Sequence, residues 1–156
     1  MNILVDVRRY PESRTYPQFN SDAMAEILPQ HSIEYVWLQK LGGRREGLGL
    51  RSKNTCWKNQ SFRNYADYME TSPFLEGFAQ LADLLQKGTV AIMCAEAVYW
   101  KCHRSMISDF AKSKGFRVVH LVGNAQSEHK YTKCARVVDG VLTYRVNSEI
   151  SDFITQ

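Results

Sequence analysis

The chain has 156 residues, of which 44% are hydrophobic and 23% are charged, and these values are ordinary for one globular domain. Its 20 lysines and arginines outnumber its 16 aspartates and glutamates by a margin too mild, by itself, to indicate a nucleic-acid-binding protein. No apolar run is long enough to cross a membrane, and the first residues resemble a strand rather than a signal peptide, so we expect a cytoplasmic protein without a membrane partner.

The four cysteines follow no spacing that is typical of a disulfide framework or a common zinc site. They are Cys56, Cys94, Cys102 and Cys134. We therefore expect four free thiols in a reducing compartment.

The first half of the chain alternates short apolar segments with polar loops. Residues 3–7 and 33–38 are predicted strands, and Asn20 or Ser21 is the predicted cap of a helix that runs to about Gln30. Residues 39–60 are rich in glycine and basic residues and lack helical periodicity. An irregular stretch of this length is uncommon in a compact domain and is often functional.

The second half alternates helices with strands. Helices are predicted over 61–70, 73–86 and 102–114, buried strands over 89–94 and 116–122, and a polar loop as far as His129. A hairpin turning on Asp139-Gly140 and a short terminal helix follow. The sequence thus predicts one α/β domain over 1–156, a three-layer domain with a mainly parallel sheet, a C-terminal β-hairpin and a short terminal helix.

Ligands of open α/β sheets bind beyond the carboxyl ends of the strands, so the residues at those ends are candidates for a site. These are Asp6, Arg8 and Arg9 after the first strand, Gly42, Gly43 and Arg44 after the second, Cys94 and Glu96 after the third, and His120 at the end of the fourth.

The segment "CAEAVYWKCHR" places Cys102, His103 and Arg104 near the start of a predicted helix. The amino end of a helix favours anions and thiolates, so Arg104 is expected to bind a phosphate or carboxylate, or else to pair internally with Glu96 or Asp6. The alternatives left open are small cysteines buried as core residues, a metal site, and a nucleophilic cysteine.

The first strand has the same ambiguity. Asp6 is either a base, a metal ligand or the partner of an arginine, and Arg8, Arg9 and Arg14 are either a phosphate-contacting lip or solvated surface residues. In "LGGRREG" the glycines allow backbone amides to approach a ligand, although the segment matches no nucleotide-binding fingerprint.

Several blocks in order along the chain resemble the family known as domain of unknown function 488. They are "LVDVRRYPESRTYPQFN", "IEYVWLQKLGGRR", "FRNYADYM", "AIMCAEAVYWKCHRSMI", and "VVHLVG" followed by "EHKYT". The resemblance implies an α/β fold with no established activity. It also implies departures: a strand and helix with a T-I-G-H-S-like motif is expected before Met1 and is missing, Tyr99 replaces a usual proline, and Cys56 replaces a usual glycine.

The leading hypothesis is an enzyme acting on a phosphate-bearing ligand such as a nucleotide or nucleic-acid end, although whether the protein is catalytic stays open. The expected catalytic residues are Asp6, Glu96, Cys102 and His103. The expected ligand-binding residues are Arg8, Arg9, Arg14, Gly42, Gly43, Arg44, Arg104, His120 and His129.

Two alternatives use the same residues. One is a non-catalytic module that binds nucleic acid or phosphate, and the other is a thiol or metal site at Cys94, Cys102 and His103. No cofactor is indicated and no residue is assigned to a metal, and a homodimer is an open expectation.

Overall fold

The computed structural model describes residues 1–146, so the predicted terminal helix lies outside the described residues. The chain divides into two compact units. Unit 1 comprises Met1–Gly43 and Thr71–Ala95, and unit 2 comprises Arg44–Glu70 and Glu96–Gln156. The prediction of a single domain stays a prediction. Among the described residues, no helix is long and apolar enough to cross a membrane.

A three-stranded parallel sheet forms the centre of unit 1. Its strands are β1 (Ile3–Asp6), β2 (Glu34–Trp37) and β3 (Val90–Met93), in the order β2-β1-β3. β1 pairs with a strand on either side, which agrees with its apolar sequence and almost complete burial. β3 confirms the strand predicted over residues 89–94, but it is half-buried along its whole length, so the prediction that this strand is buried is wrong.

Two helices belong to unit 1. They are α1 (Ser21–Ile27), continued by a 3-10 turn (Leu28–His31), and α3 (Ser72–Lys87), which begins with a proline in its first turn and ends at Gly88. In α3 the side chains of Phe74, Phe78, Leu81 and Leu84 recur at helical spacing and are all buried. The helix between them in the chain, α2 (Gln60–Met69), belongs to unit 2.

Unit 2 combines two helices with two antiparallel hairpins. The helices are α2 (Gln60–Met69), capped by the Asn59 side chain, and α4 (Arg104–Ser113). The hairpins are β4 (Val119–Val122) with β5 (Ala125–Glu128), and β6 (Arg136–Val138) with β7 (Val141–Thr143). Asp139 and Gly140 both have positive φ, 50° and 78°, which confirms the predicted turn. The parallel sheet, helices and C-terminal hairpins confirm an α/β fold.

The segment around His120 differs from its prediction. β4 pairs antiparallel with β5 outside the parallel sheet, and only His120 of its four residues is buried. His120 therefore lies within a strand, not at the end of a parallel one, and β5 replaces the predicted polar loop before His129. The apolar composition of residues 116–122 suggested burial, but β4 buries one face only, and that face carries the histidine.

The prediction of four free thiols is wrong for two of them. Cys56 and Cys134 form a disulfide although 78 positions separate them in sequence, and their Cα atoms lie 5.6 Å apart. Cys94 and Cys102 are free thiols. The two cysteines are far apart in the sequence, and no spacing motif identifies them as a pair. They meet because the fold of unit 2 brings the two segments together.

Candidate functional site

In unit 1, Asp6 and Arg8 form a closed ion pair. Asp6 is fully buried, and its Oδ1 accepts hydrogen bonds from the Arg8 backbone amide at 3.0 Å and from Arg8 Nε at 2.9 Å. Arg8 Nη2 donates to Asp6 Oδ2 and also to the Phe19 backbone oxygen at 2.7 Å. The pair therefore joins the end of β1 to the loop that precedes α1, as expected from one of the three alternatives for Asp6, the partner of an arginine.

β2 completes this arrangement. Tyr35 donates its hydroxyl hydrogen bond to Asp6 Oδ2 at 2.6 Å, and Trp37 Nε1 donates to the Arg8 backbone oxygen at 2.8 Å. The hydrogen bond from Asp6 raises the pKa of Arg8, and burial together with Asp6 raises the pKa of Tyr35. Asp6 is thereby the shared acceptor of Arg8 and Tyr35, and the guanidinium of Arg8 is directed at protein atoms.

The glycine loop after β2 packs tightly on the loop after β1. A Cβ atom on Gly42 would lie 2.7 Å from the Cα of Arg9, so only glycine allows this approach of the two backbones. Arg9 lies over the Tyr10 ring, 5.4 Å from its centroid, and Arg14 is exposed. Gly43 is half-buried, and Arg44, which begins unit 2, is exposed with a φ of 55°. The predicted ligand-binding roles of these residues stay predictions.

In unit 2, the sulfur of Cys102, just before α4, lies within hydrogen-bond distance of three nitrogen atoms, two of which are N–H donors of Arg104. The Arg104 backbone amide lies 3.3 Å from Cys102 Sγ, Arg104 Nε lies 3.4 Å away, and His103 Nδ1 lies 3.6 Å away. The sulfur is buried, with the residue 4% exposed. Convergent donors at the amino end of a helix are the environment that stabilises a thiolate.

The side chain of Arg104 is held in place at two of its nitrogens. Nη2 donates to the backbone oxygen of Glu96, and Nε contacts Cys102. Within residues 1–146, no carboxylate forms a salt bridge with Arg104. The predicted contact with Glu96 thus uses its backbone, while its side chain is exposed.

A buried carboxylate and two histidines form a hydrogen-bonded chain in the same unit. Asp109 Oδ1 lies 2.8 Å from His129 Nε2, and His129 Nδ1 lies 2.8 Å from His120 Nε2. Asp109 is fully buried and also accepts hydrogen bonds from the Thr132 amide and hydroxyl and from the Tyr144 hydroxyl. We call these three residues, Asp109, His129 and His120, the Asp-His-His chain.

Tyr99 covers the outer member of this chain. Its ring stacks on the His120 ring with the centroids 3.3 Å apart and the planes parallel within 1°. Burial, together with the nearby charges of His129 and Arg104, lowers the pKa of His120 from 6.5 to about 4. His120 is therefore neutral at pH 7, and the positive charge of Arg104 contributes to its low pKa.

The hydrogen bonds define which nitrogens carry protons when both histidines are neutral. His129 Nε2–H then donates to Asp109, so its Nδ1 is an acceptor and receives Nε2–H from His120. His120 Nδ1 is left with a lone pair. In the part of the chain that the structure describes, that nitrogen has no hydrogen-bond partner. Such an atom can accept a proton from a ligand.

Seven of the predicted site residues thus belong to unit 2: Arg44, Glu96, Cys102, His103, Arg104, His120 and His129. The sequence reasoning did not identify Asp109, Tyr99, Thr132 or Tyr144. The sequence does contain an indication of Asp109, because a charged residue on the apolar helix face formed by Met106, Ile107 and Phe110 is unusual. Asp6, Arg8 and Cys94 belong to unit 1. Within residues 1–146, no three His, Cys, Asp or Glu side chains form a group that could hold a metal ion.

The fold and the polar side chains of unit 2 define an α/β protein with a histidine- and arginine-containing candidate site. The model of the family described as "Domain of unknown function DUF488" matches residues 1–111, and the chain belongs to that family. The matched span includes Cys102, Arg104 and Asp109 and ends before His120 and His129. No curated protein and no solved structure matches the chain.

Proposed function

We propose that the protein is an enzyme that acts on a phosphate-bearing ligand at the candidate site of unit 2, and that proton transfer by a side chain is part of the reaction. The single observation behind this proposal is the Asp-His-His chain, which ends at His120 within electrostatic range of Arg104. An acceptor nitrogen within electrostatic range of a guanidinium provides the two functions that such chemistry requires, proton transfer and stabilisation of negative charge.

Each residue has a distinct role in this proposal. Arg104 binds the anion through Nη1, since Nε and Nη2 already contact Cys102 and Glu96. His120 accepts through Nδ1 the proton of the water or hydroxyl whose oxygen attacks the phosphorus, the bond from phosphorus to the leaving oxygen breaks, and the protonated His120 returns the proton to that oxygen. Asp109 and His129 are positioning residues, which set the tautomer and orientation of His120 as a buried carboxylate does for a histidine base.

Anion binding and proton transfer support one another in this arrangement. The positive charge of Arg104 is one cause of the low pKa of His120. A bound phosphate offsets that charge, so the pKa of His120 rises and the nitrogen becomes a stronger base when the ligand is present. His120 is thereby a stronger base when the ligand is bound than when the site is empty.

The proposal is tested with a simple phosphomonoester and a simple phosphodiester, p-nitrophenyl phosphate and bis-p-nitrophenyl phosphate. We expect hydrolysis of one of them, lowered at least 100-fold by His120→Gln and by Arg104→Gln. His31→Gln, which changes an exposed histidine of unit 1, is the matched control. Binding of inorganic phosphate that is the same for the parent and for Arg104→Gln would refute the role of Arg104.

The environment of Cys102 supports a second candidate, a reaction at the thiol. Two N–H groups of Arg104 donate to its sulfur, and His103 Nδ1 lies 3.6 Å from it. Alkylation with iodoacetamide tests this alternative: preferential labelling of Cys102 over Cys94, lost in Arg104→Gln, would favour it. Equal and slow labelling of both thiols would instead favour buried cysteines that only fill space.

The proposed compartment is the cytoplasm, on the basis of the sequence alone. The Cys56–Cys134 disulfide weighs against that proposal, since disulfides persist mainly in oxidising compartments. Homodimer formation stays a prediction.

A further inference from the structure

The charge of the chain is divided unevenly between its two units. Unit 2 contains 15 of the 20 lysines and arginines and 9 of the 16 aspartates and glutamates, which makes its formal charge +6 and that of unit 1 −2. Two of the acidic residues of unit 2, Asp67 and Asp109, are buried. Unit 2 is therefore strongly basic, although the net charge of the whole chain is only mildly positive. A strong positive charge is typical of proteins that bind polyanions.

Buried Asp67 of α2 organises a basic loop in this unit. It accepts hydrogen bonds from the Leu48 amide at 2.9 Å, the Ser52 hydroxyl at 2.6 Å and the Asn54 side-chain amide at 2.8 Å. A Cβ atom on Gly47 would lie 2.8 Å from Asp67 Oδ2, so the loop backbone lies directly against the helix. We call residues 47–54 the braced loop, because one carboxylate holds both of its ends.

The braced loop presents an apolar tip between cations. Gly49 has a φ of 57° and starts a 3-10 turn, Gly49–Arg51, in which Leu50 is fully exposed. Arg51 and Lys53 are exposed beside it, and neither has a carboxylate partner among residues 1–146. The hydrogen bonds to Asp67 thus hold a loop that carries two exposed cations, Arg51 and Lys53.

The segment that follows the braced loop packs on the residues that hold Asp109. Trp57 contacts the ring of Tyr144 at a centroid distance of 5.6 Å, and Tyr144 donates its hydroxyl hydrogen bond to Asp109. The disulfide links Cys56 to Cys134, two positions after Thr132, another partner of Asp109. The loop and the candidate site thus share one supporting framework.

An exposed tryptophan lies near the His120 end of the Asp-His-His chain. Trp100 is 54% exposed and touches Tyr99 edge-on at a centroid distance of 5.1 Å, while Tyr99 stacks on His120. An exposed indole one ring away from a proton-accepting histidine, followed by the exposed cation Lys101, is suited to stacking on a nucleobase.

From these observations we infer that the ligand of unit 2 is a single strand of nucleic acid, with phosphates bound by Arg51 and Lys53 of the braced loop and a base stacked on Trp100. This inference rests on the proposed function, since it names the substrate class of the same site. A single strand is favoured because stacking on tryptophan requires an unpaired base. An anionic membrane is less well matched, because one exposed leucine buries little apolar area and stable attachment requires more.

The test measures binding of a fluorescent 12-nucleotide single strand, its duplex, and vesicles containing phosphatidylserine, at several salt concentrations. The variants are Arg51→Gln/Lys53→Gln and Trp100→Ala, and the control Lys87→Gln/Lys114→Gln removes two other exposed cations. We expect the loop variant to weaken single-strand binding about tenfold and to reduce the salt slope by about 1.4, since each phosphate contact on a single strand contributes about 0.7. Trp100→Ala is expected to weaken binding about 5- to 150-fold with an unchanged slope.

Three results would overturn the inference: no binding of the single strand by the parent, equal effects of the loop variant and its control, or binding of vesicles alone through the same residues. Preference for the duplex would contradict the stacking role of Trp100. Failure here is distinguishable from failure of the proposed function. Hydrolysis of the p-nitrophenyl esters that depends on His120 but not on Arg51 or Lys53 would leave the catalytic proposal standing without a nucleic-acid substrate.

Discussion

His120 Nε2 lies 2.8 Å from His129 Nδ1, so the outer histidine is connected through the inner one to the buried carboxylate of Asp109. The same outer histidine is covered by Tyr99 and lies within the electrostatic influence of Arg104. The negative charge of Asp109 would therefore stabilise a proton on His120, and the positive charge of Arg104 would destabilise it. The balance between these two effects is open to direct measurement.

The first prediction concerns Asp109. Asp109→Asn leaves the donors of His129, Thr132 and Tyr144 facing an amide that accepts at only one of its two terminal atoms. We expect the free energy of unfolding to fall by about 1–3 kcal/mol in urea denaturation, because buried donors lose their partners. The exposed Asp83 of α3 is the control, as Asp83→Asn should change stability little.

A positioning role for Asp109 has its own signature. The nitrogen NMR signals of His129 should show Nε2 protonated in the parent and a mixture of tautomers in Asp109→Asn. An unchanged tautomer in the variant would show that Asp109 is only a structural anchor.

The second prediction is the pH dependence of stability. His120 has a pKa of about 4 in the folded chain against 6.5 when unfolded, so the unfolded chain binds more protons between these values. Stability from this group is therefore complete above pH 6.5 and is lost as the pH falls towards 4. The groups that influence it are His129, Arg104 and Asp109, and Tyr99 covers its ring.

We expect unfolding free energies measured at pH 7.5 and pH 5.0 to differ by less in His120→Gln than in the parent, by an amount on the order of 1 kcal/mol. His31→Gln should retain the full difference. If both variants behave like the parent, His120 does not contribute to the acid sensitivity of the fold.

The third prediction is the coupling between Arg104 and His120. Because the charge of Arg104 helps to lower the pKa of His120, both Arg104→Gln and saturating inorganic phosphate should move that pKa part of the way from about 4 towards 6.5. The shift is followed by NMR titration of the imidazole signals. Phosphate should have no further effect in Arg104→Gln, and an equal effect in the variant would place the anion elsewhere.

The fourth prediction concerns the disulfide. Cys56→Ser/Cys134→Ser should lower the free energy of unfolding by about 2–4 kcal/mol, because the bond closes a long loop in the unfolded chain. Reduction of the parent with dithiothreitol should have the same effect, and Cys94→Ser, which removes a free thiol, should have a small one. A parent whose stability is insensitive to reductant would show that the bond is not formed in solution.

The fifth prediction concerns the ion pair of unit 1. Asp6→Asn leaves the guanidinium of Arg8 buried without its counter-charge, so we expect a loss of about 3–5 kcal/mol in stability. Asp22→Asn, on the exposed surface of α1, is the control. A small loss in Asp6→Asn would mean that Arg8 turns to solvent readily and remains available as a ligand-binding residue.

Local patterns predicted much of the fold. The strand at β1, the helices α2, α3 and α4 and the turn at Asp139-Gly140 depend on apolar periodicity and on turn residues, which are properties of neighbouring positions. The candidate positions Cys102, His103 and Arg104 followed from their place at the start of a helix. These inferences needed no knowledge of which segments meet in space.

What the sequence by itself determined is therefore a parallel α/β arrangement with polar side chains at the starts and ends of its elements. Only the tertiary structure decided which of them meet. It paired β4 with β5, closed Arg8 on Asp6, bonded Cys56 to Cys134, and placed His129 between His120 and Asp109. The physical reason is that strand pairing, disulfides and buried hydrogen bonds join residues far apart in the chain, and apolar periodicity carries no information about those partners.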